Sequence, residues 1–298
     1  MKTTILTMKK LPILLLLLLV AALPAAAQRD SVLIVFWNVE NFFDYRPDST
    51  GVSELEFSAG GLRHWTRSRF HTKCSAVAKT LLAIADRYGR LPDAVGFAEI
   101  ENRFVLKQLI SSTPLRKLDY GIVHFESPDH RGIDCALLYR KSTLHLQDAV
   151  PCHLTDSAGN VVRTRDILAA RFDSLAILVN HHPSKVGSGD RSAAMERMEG
   201  IRDSLRLEGC SRCLCIGDFN DDVWGTGEGT IKYNGAWEKI DGCFATGFSA
   251  VREHVASFPF LLTGDAAFGG LKPLRTYSGP RYLGGVSDHL PIAVIVYF

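Results

Sequence analysis

Three observations predict an α/β fold in four layers, an α/β/β/α sandwich of two mixed β-sheets packed face to face with helices outside. Strand-like runs outnumber helical ones along the 298 residues. Several of these runs are apolar on both faces, as strands are when each side of their sheet is covered. Helical patterns fall between distant strands and do not follow every one, so the regular alternation of a doubly wound sheet is missing.

Ser31–Val39 (SVLIVFWNV) reads as the first strand, and residues 46–63 are turn-rich and polar, a surface loop. From Thr66 to Tyr88, apolar Phe70, Cys74, Val77, Ala78, Leu81 and Leu82 recur at helical spacing, and Gly89 supplies a stop. A strand over Asp93–Ile100 and a short helix over Phe104–Ser111 follow. Residues 119–154 give three strands separated by turns at Ser127–Gly132 and Lys141–Ser142, and residues 156–160 (DSAGN) form a hairpin turn. Ile167–Phe172 and Ser174–Asn180 pair tightly around Asp173. Ser192–Leu207 is a helix ended by Gly209, and Arg212–Gly217 is a central strand. Trp237–Thr246 and Leu290–Tyr297 complete the pattern, with no internal repeat or linker.

The leading residues stand apart. Lys9 and Lys10 precede an apolar run from Leu11 to Leu23, and Ala25–Ala27 offers small residues for cleavage, so residues 1–27 read as a secretory signal peptide. That run falls short of the roughly 20 residues needed to span a bilayer, and the expectation is a single domain over residues 28–298, periplasmic or secreted. Taking Lys2, Lys9 and Lys10 from the 34 basic residues leaves 31 against 32 acidic ones. A near-neutral mature chain gives no charge-based case for tight nonspecific nucleic-acid binding. Seven cysteines, an odd number, show no paired zinc pattern. The expectation is no structural metal and at most one disulfide, with Cys210 and Cys213 nearest in sequence.

Five strand ends finish in the same kind of chemistry. Asn38 and Glu40 close the first strand, and Glu99 emerges from the apolar VGFAEI run, a costly location without a cation or donor. Asn180, His181 and His182 end a third. The central LCI run opens into Gly217-Asp218-Phe219-Asn220, where Asp218 and Asn220 project to one side and the glycine lets the backbone turn closely. Asp288 and His289 stand just before the last strand, and Asp241 is isolated in an apolar context. Such hard oxygen donors suit Mg²⁺, with Mn²⁺ as the alternative, rather than zinc. The sequence has no Walker loop, no GxSxG elbow and no HExxH. Carboxylates, amides and imidazoles together suit water attack on a phosphate ester.

The ordered motifs NVEN (38–41), EIEN (99–102), NHHPS (180–184), GDFND (217–221) and SDHLP (287–291) resemble the endonuclease/exonuclease/phosphatase superfamily. That is the DNase I-like superfamily of pancreatic-type deoxyribonuclease, apurinic endonucleases, inositol-phosphate phosphatases and neutral sphingomyelinases. FWNVENFFD, RGIDCALLYR and GTIKYNGAWEKIDG are similar to exported members in Bacteroides-like bacteria.

By position, the resemblance implies Glu99 as principal metal ligand with Asn38, Glu40 and Asp288 nearby; Glu40 stands where relatives often have Asp. It implies Asp218 as the group that positions or deprotonates water, and Asn220 as a holder of a phosphoryl oxygen. His289, oriented by Asp241, and His181, chosen over His182, would be the imidazoles. Arg131 and Asp134 are candidates for substrate contact or local structure. In the Gly-rich loop Gly264–Gly285, Arg275 and Tyr277 are further substrate candidates beside Arg281 and Tyr282, and Trp224 and Trp237 have the same standing. The expected partner is a phosphodiester or phosphomonoester, DNA and RNA among them, with no integral membrane span and no obligate protein partner. An exported nuclease is the simplest reading. A phosphatase or phospholipase C-like hydrolase of inositol phosphates or sphingomyelin is the alternative, and a non-catalytic binding protein the third.

Overall fold

The computed structural model describes residues 30–46, 56–156, 158–184, 191–221 and 228–298; the expected signal peptide and Trp224 lie outside them. Two sheets carry the molecule. The first has strand order β12-β17-β1-β2-β4-β3, and its strands are β1 (Ser31–Phe42), β2 (Ala94–Ile100), β3 (Tyr120–His124), β4 (Asp134–Arg140), β12 (Ala250–Val255) and β17 (Ile292–Tyr297). The second has order β11-β8-β7-β6-β5, built from β5 (Leu146–Cys152), β6 (Ile167–Phe172), β7 (Ala176–His181), β8 (Cys213–Asp218) and β11 (Asp241–Thr246). Each sheet mixes directions: β1 runs parallel to β2 and β7 to β8, while the remaining pairs are antiparallel.

The apolar strands are explained by burial on two sides. In β8, Leu214 and Ile216 face the first sheet, while Cys213 and Cys215 face helix α3 (Arg191–Leu207) with its Met198 and Ile201. β7 divides in the same way, Ile177 and Val179 inward, Ala176 and Leu178 outward. Helices α1 (Arg67–Tyr88) and α2 (Arg103–Ser111) cover the outer face of the first sheet through Phe70, Cys74, Val77, Leu81, Val105 and Leu109. The four layers are therefore helix, sheet, sheet, helix. Thr66 caps α1 by accepting the Arg69 N–H, and Gly89 ends it at φ 66°, the stop that the sequence predicts.

Three differences have local causes. Trp237–Thr246 is not one strand: β9 (Ile231–Tyr233) and β10 (Ala236–Glu238) form a separate hairpin. The chain bends before β11, where the buried Thr230 Oγ1 accepts the amides of Ile240 and Asp241. β12 lacks an alternating signal because it is an edge strand with mostly exposed side chains. Gly264–Gly285 is more than a loop, containing β14 (Leu271–Pro273), which pairs with β13 (Leu262–Gly264), and the short pair β15 (Tyr277–Ser278) and β16 (Arg281–Tyr282). Gly217 also works otherwise than expected: a Cβ there would lie 2.6 Å from the Asn180 carbonyl oxygen, so the glycine permits close approach of β8 to β7. All seven cysteines are free thiols. No helix among the described residues is long and apolar enough to cross a membrane.

Candidate active site

Strand register assembles the site. In the second sheet His181 on β7 is the partner of Asp218 on β8, which is in turn the partner of Asp241 on β11. Three chemically active side chains thus end three adjacent strands. The first sheet brings β1 and β2 to the same end. Its β1–β2 register slips between Asn38 and Phe42, and Glu40, Asn41 and Glu99 adopt φ of 47°, 51° and 66°. A non-glycine residue in the left-handed region costs about 1–3 kcal/mol, a strain typical of functional sites. The bulge turns Glu40 and Glu99 towards the cleft, where simple alternation would not keep both.

Asp218 is the hub. Its Oδ2 accepts from Asn38 Nδ2 at 3.0 Å and faces His181 Nε2 at 3.7 Å and His289 Nε2 at 3.8 Å. Burial pushes its carboxyl up to about 7 against the pull of His289, and neighbouring Asp241 adds repulsion. His289 Nδ1 lies 2.8 Å from Asp241 Oδ2. Burial alone would lower this histidine, but Asp241 and Asp218 on its two ring nitrogens outweigh it and raise its pKa well above the usual histidine value. The His289 backbone is held as well: Trp37 Nε1 donates to its carbonyl at 2.9 Å, and Ser287 Oγ accepts its N–H at 3.0 Å. His181 behaves oppositely, kept neutral by burial first and then by Arg165 and Arg131.

Glu99 is on the other side of His181, with Oε1 4.0 Å from its Nε2, and Oε2 accepts the Asn41 N–H at 2.7 Å. One imidazole nitrogen is therefore within 4.0 Å of both Glu99 and Asp218. Arg131 reaches the same carboxylate at 3.5 Å and donates to Asn41 Oδ1. Arg275 donates twice to Glu40 Oε1, at 2.7 and 2.9 Å, and stands 3.0 Å from Asp288 Oδ2. Glu40 Oε2 accepts the Thr276 N–H. Burial and Asp288 raise the Glu40 carboxyl to about 7. Beneath them the buried Lys73 Nζ donates to the Glu40 carbonyl at 2.5 Å and to Thr276 Oγ1 at 2.8 Å.

Some expected residues are committed elsewhere. Asp134 is buried, with Oδ2 3.1 Å from His124 Nε2 and Oδ1 accepting the Ser127 N–H, so it shapes the turn before β4. Tyr277 is buried against Phe57 and Trp65 and its hydroxyl donates to the Arg63 carbonyl, which leaves it packing and not at the cleft's centre. Asn220 Nδ2 donates to the His182 carbonyl and its N–H to Asp218 Oδ1, making it a brace for Asp218 in this geometry. His182 points away from the cleft, edge-on to Phe219 at 5.0 Å. Sequence reasoning passed over Lys73, Ser287, Thr276 and Arg165. A lysine three residues after Phe70 on the buried stripe of α1 is a readable signal for the first; the others are short-range polar partners with no pattern of their own.

The donor set fits a hard divalent cation. Glu40, Glu99 and Asp288 act together on both Lys73 and Arg275, and a guanidinium already stands between two of them as a stand-in cation. Asp218, Asp241 and His289 form a second close group, with one ligand atom from each within 4.8 Å of the others.

A two-sheet sandwich whose strand ends gather carboxylates, amides and imidazoles defines the phosphoesterase class. The model described as the Endonuclease/Exonuclease/phosphatase family matches residues 33–239, and the chain belongs to that family of metal-dependent phosphoesterases. No curated protein matches the sequence. Among solved structures, a mannosyl-6-phosphatase of Bacteroides thetaiotaomicron is similar over 90% of this chain and 100% of that one, at 15% identity and a TM-score of 0.55. An endonuclease/exonuclease/phosphatase family protein of the same bacterium gives 15% identity, 90% and 98% coverage and a TM-score of 0.54. TDP2 from Caenorhabditis elegans gives 15% identity over 90% of this chain and 75% of that chain, at 0.53. These likenesses bear on the fold.

Proposed function

We propose that the chain is an exported, divalent-metal-dependent phosphodiesterase that cleaves nucleic acid by water attack at phosphorus. The observation that carries the reading is the convergence of Asn38 Nδ2, His181 Nε2 and His289 Nε2 on Asp218 Oδ2, at 3.0, 3.7 and 3.8 Å. Asp218 orients the water and takes its proton as the oxygen attacks phosphorus and the opposite ester P–O bond breaks, the leaving oxygen taking a proton from solvent, while Asn38 keeps the carboxylate aimed. His289, protonated and steadied by Asp241, donates to a phosphoryl oxygen and stabilises the charge that builds there. Neutral His181 contributes a hydrogen bond without adding a second positive charge. Glu40, Glu99 and Asp288, with Asn38 beside them, would hold the metal, Mg²⁺ or Mn²⁺, which supplies charge neutralisation at the phosphate when bound.

Nucleic acid as substrate is supported by the β9–β10 hairpin. Ile231 bridges to His289, and the hairpin carries Tyr233 and Trp237 at 59% and 40% exposure, aromatic faces on which bases can stack. A phosphomonoesterase is the second reading, favoured by Arg131 and Arg275, whose side chains are 41% and 45% exposed and suit a dianionic terminal phosphate. The mannosyl-6-phosphatase relative is consistent with it. Plasmid DNA, RNA, sugar phosphates, inositol phosphates and sphingomyelin, each with Mg²⁺ and with EDTA, separate the readings. Metal-dependent nicking of DNA supports the first, and phosphate release from monoesters alone supports the second. Inactivity on every ester returns the chain to a binding role. Export is tested by the N-terminus of the mature protein, expected after Ala27.

A further inference from the structure

The pair Glu40 and Asp288 faces one cation that belongs to the chain itself. Arg275 approaches Glu40 Oε1 through two nitrogens, at 2.7 and 2.9 Å, and the same Nη2 is 3.0 Å from Asp288 Oδ2. The second Glu40 oxygen is taken by the Thr276 N–H at 2.9 Å. A divalent ion that uses these carboxylates meets a guanidinium already seated on them, and the two like charges cannot share the position.

We propose that Arg275 is an internal counter-cation that competes with the divalent metal for Glu40 and Asp288, and so sets how tightly the site binds that metal. The inference rests on the reading that the Glu40, Glu99 and Asp288 cluster holds a divalent cation. Three features of the site shape the competition. Arg275 is half exposed, so its guanidinium can leave the carboxylates for water. A polar cavity of about 90 Å³ opens beside it, lined by Asn41, Phe57, Arg63, Thr276 and Gly279, which gives the side chain room to move. Lys73, by contrast, is fully buried and fixed by the Glu40 carbonyl and Thr276, so the positive charge beneath the cluster stays when Arg275 departs. A metal that binds only after Arg275 leaves has its affinity reduced by the fraction of time the pair is vacated.

The test uses the metal alone, with no substrate. Mn²⁺ binding to the metal-stripped full chain is measured by titration calorimetry for wild type and Arg275→Gln, with thermal melting to check the fold. Loss of the competing charge should tighten Mn²⁺ binding by about ten-fold. Equal or weaker binding by a folded Arg275→Gln overturns the competition while leaving the metal site standing; no Mn²⁺ binding by either protein overturns both. Where the variant does not fold, phenylglyoxal labelling of Arg275 in the wild type decides, read by peptide mass. Labelling that rises on adding Mn²⁺ supports displacement of the guanidinium, and unchanged or reduced labelling overturns it.

Discussion

His289 Nδ1 is 2.8 Å from Oδ2 of Asp241, and that contact fixes which way the imidazole faces, because the opposite nitrogen is thereby aimed at Asp218. Asp241 opens β11 of the second sheet and His289 stands just before β17 of the first, so the contact is also a joint between the sheets. Asp241→Asn keeps the shape and removes the charge that holds the imidazolium. Turnover should fall by about 100-fold or more with KM little changed, and the basic limb of the pH–rate profile should move to lower pH. A profile that stays in place would show that Asp241 does not tune the histidine.

Asp218→Asn tests the hub. The amide preserves packing beside Asn38 but cannot take a proton from water, so the expected loss is about 1,000-fold or more in kcat with an unchanged melting curve. Residual activity near wild type would remove Asp218 from the chemistry.

His182 gives a prediction about stability. It is buried, its Nε2 has no partner among the described residues, and burial followed by Arg165 lowers its pKa to about 4 from 6.5. The unfolded chain therefore takes up this proton first as pH falls, so the stabilisation is complete above about 6.5 and is lost on descending to 4. The loss is about 3 kcal/mol at pH 4. Asp218 has a raised pKa and works in the opposite sense, so the quantity to measure is the difference between wild type and His182→Phe in urea unfolding from pH 7 to pH 4. A difference that does not change with pH would contradict the assignment.

Gly217→Ala places a methyl 2.6 Å from the Asn180 carbonyl oxygen, a backbone atom that cannot step aside cheaply. Destabilisation of about 1–3 kcal/mol is expected from denaturant unfolding, with loss of activity because His181 and Asp218 flank the same contact. Unchanged stability would mean that β7 and β8 are less tightly joined than their geometry indicates.

The sandwich was legible because both sheets are covered on two sides, which writes uninterrupted apolar runs such as Leu214–Ile216 and Ile177–Val179 into the sequence. Asp218, His181, His289 and Asp241 were legible as polar residues beside such runs; strand register brings His181, Asp218 and Asp241 together, and the contact with Asp241 adds His289. What escaped was of two kinds. Edge strand β12 is exposed and charged, so periodicity carries no trace of it. The commitments of Asp134 to His124 and of Tyr277 to Arg63 depend on segments that only the tertiary fold brings close. The Glu40–Arg275 pair spans 235 residues and could not be read from either end of the chain.

The most direct test of the central claim, that one pocket built around Asp218 hydrolyses phosphate esters with a divalent metal, is hydrolysis of bis(p-nitrophenyl) phosphate by the purified wild type and Asp218→Asn with Mg²⁺, Mn²⁺ or EDTA. The expected result is metal-dependent release of p-nitrophenol by the wild type, abolished by EDTA and lost in the variant. Release that persists in EDTA, or that Asp218→Asn sustains at the wild-type rate, would contradict it.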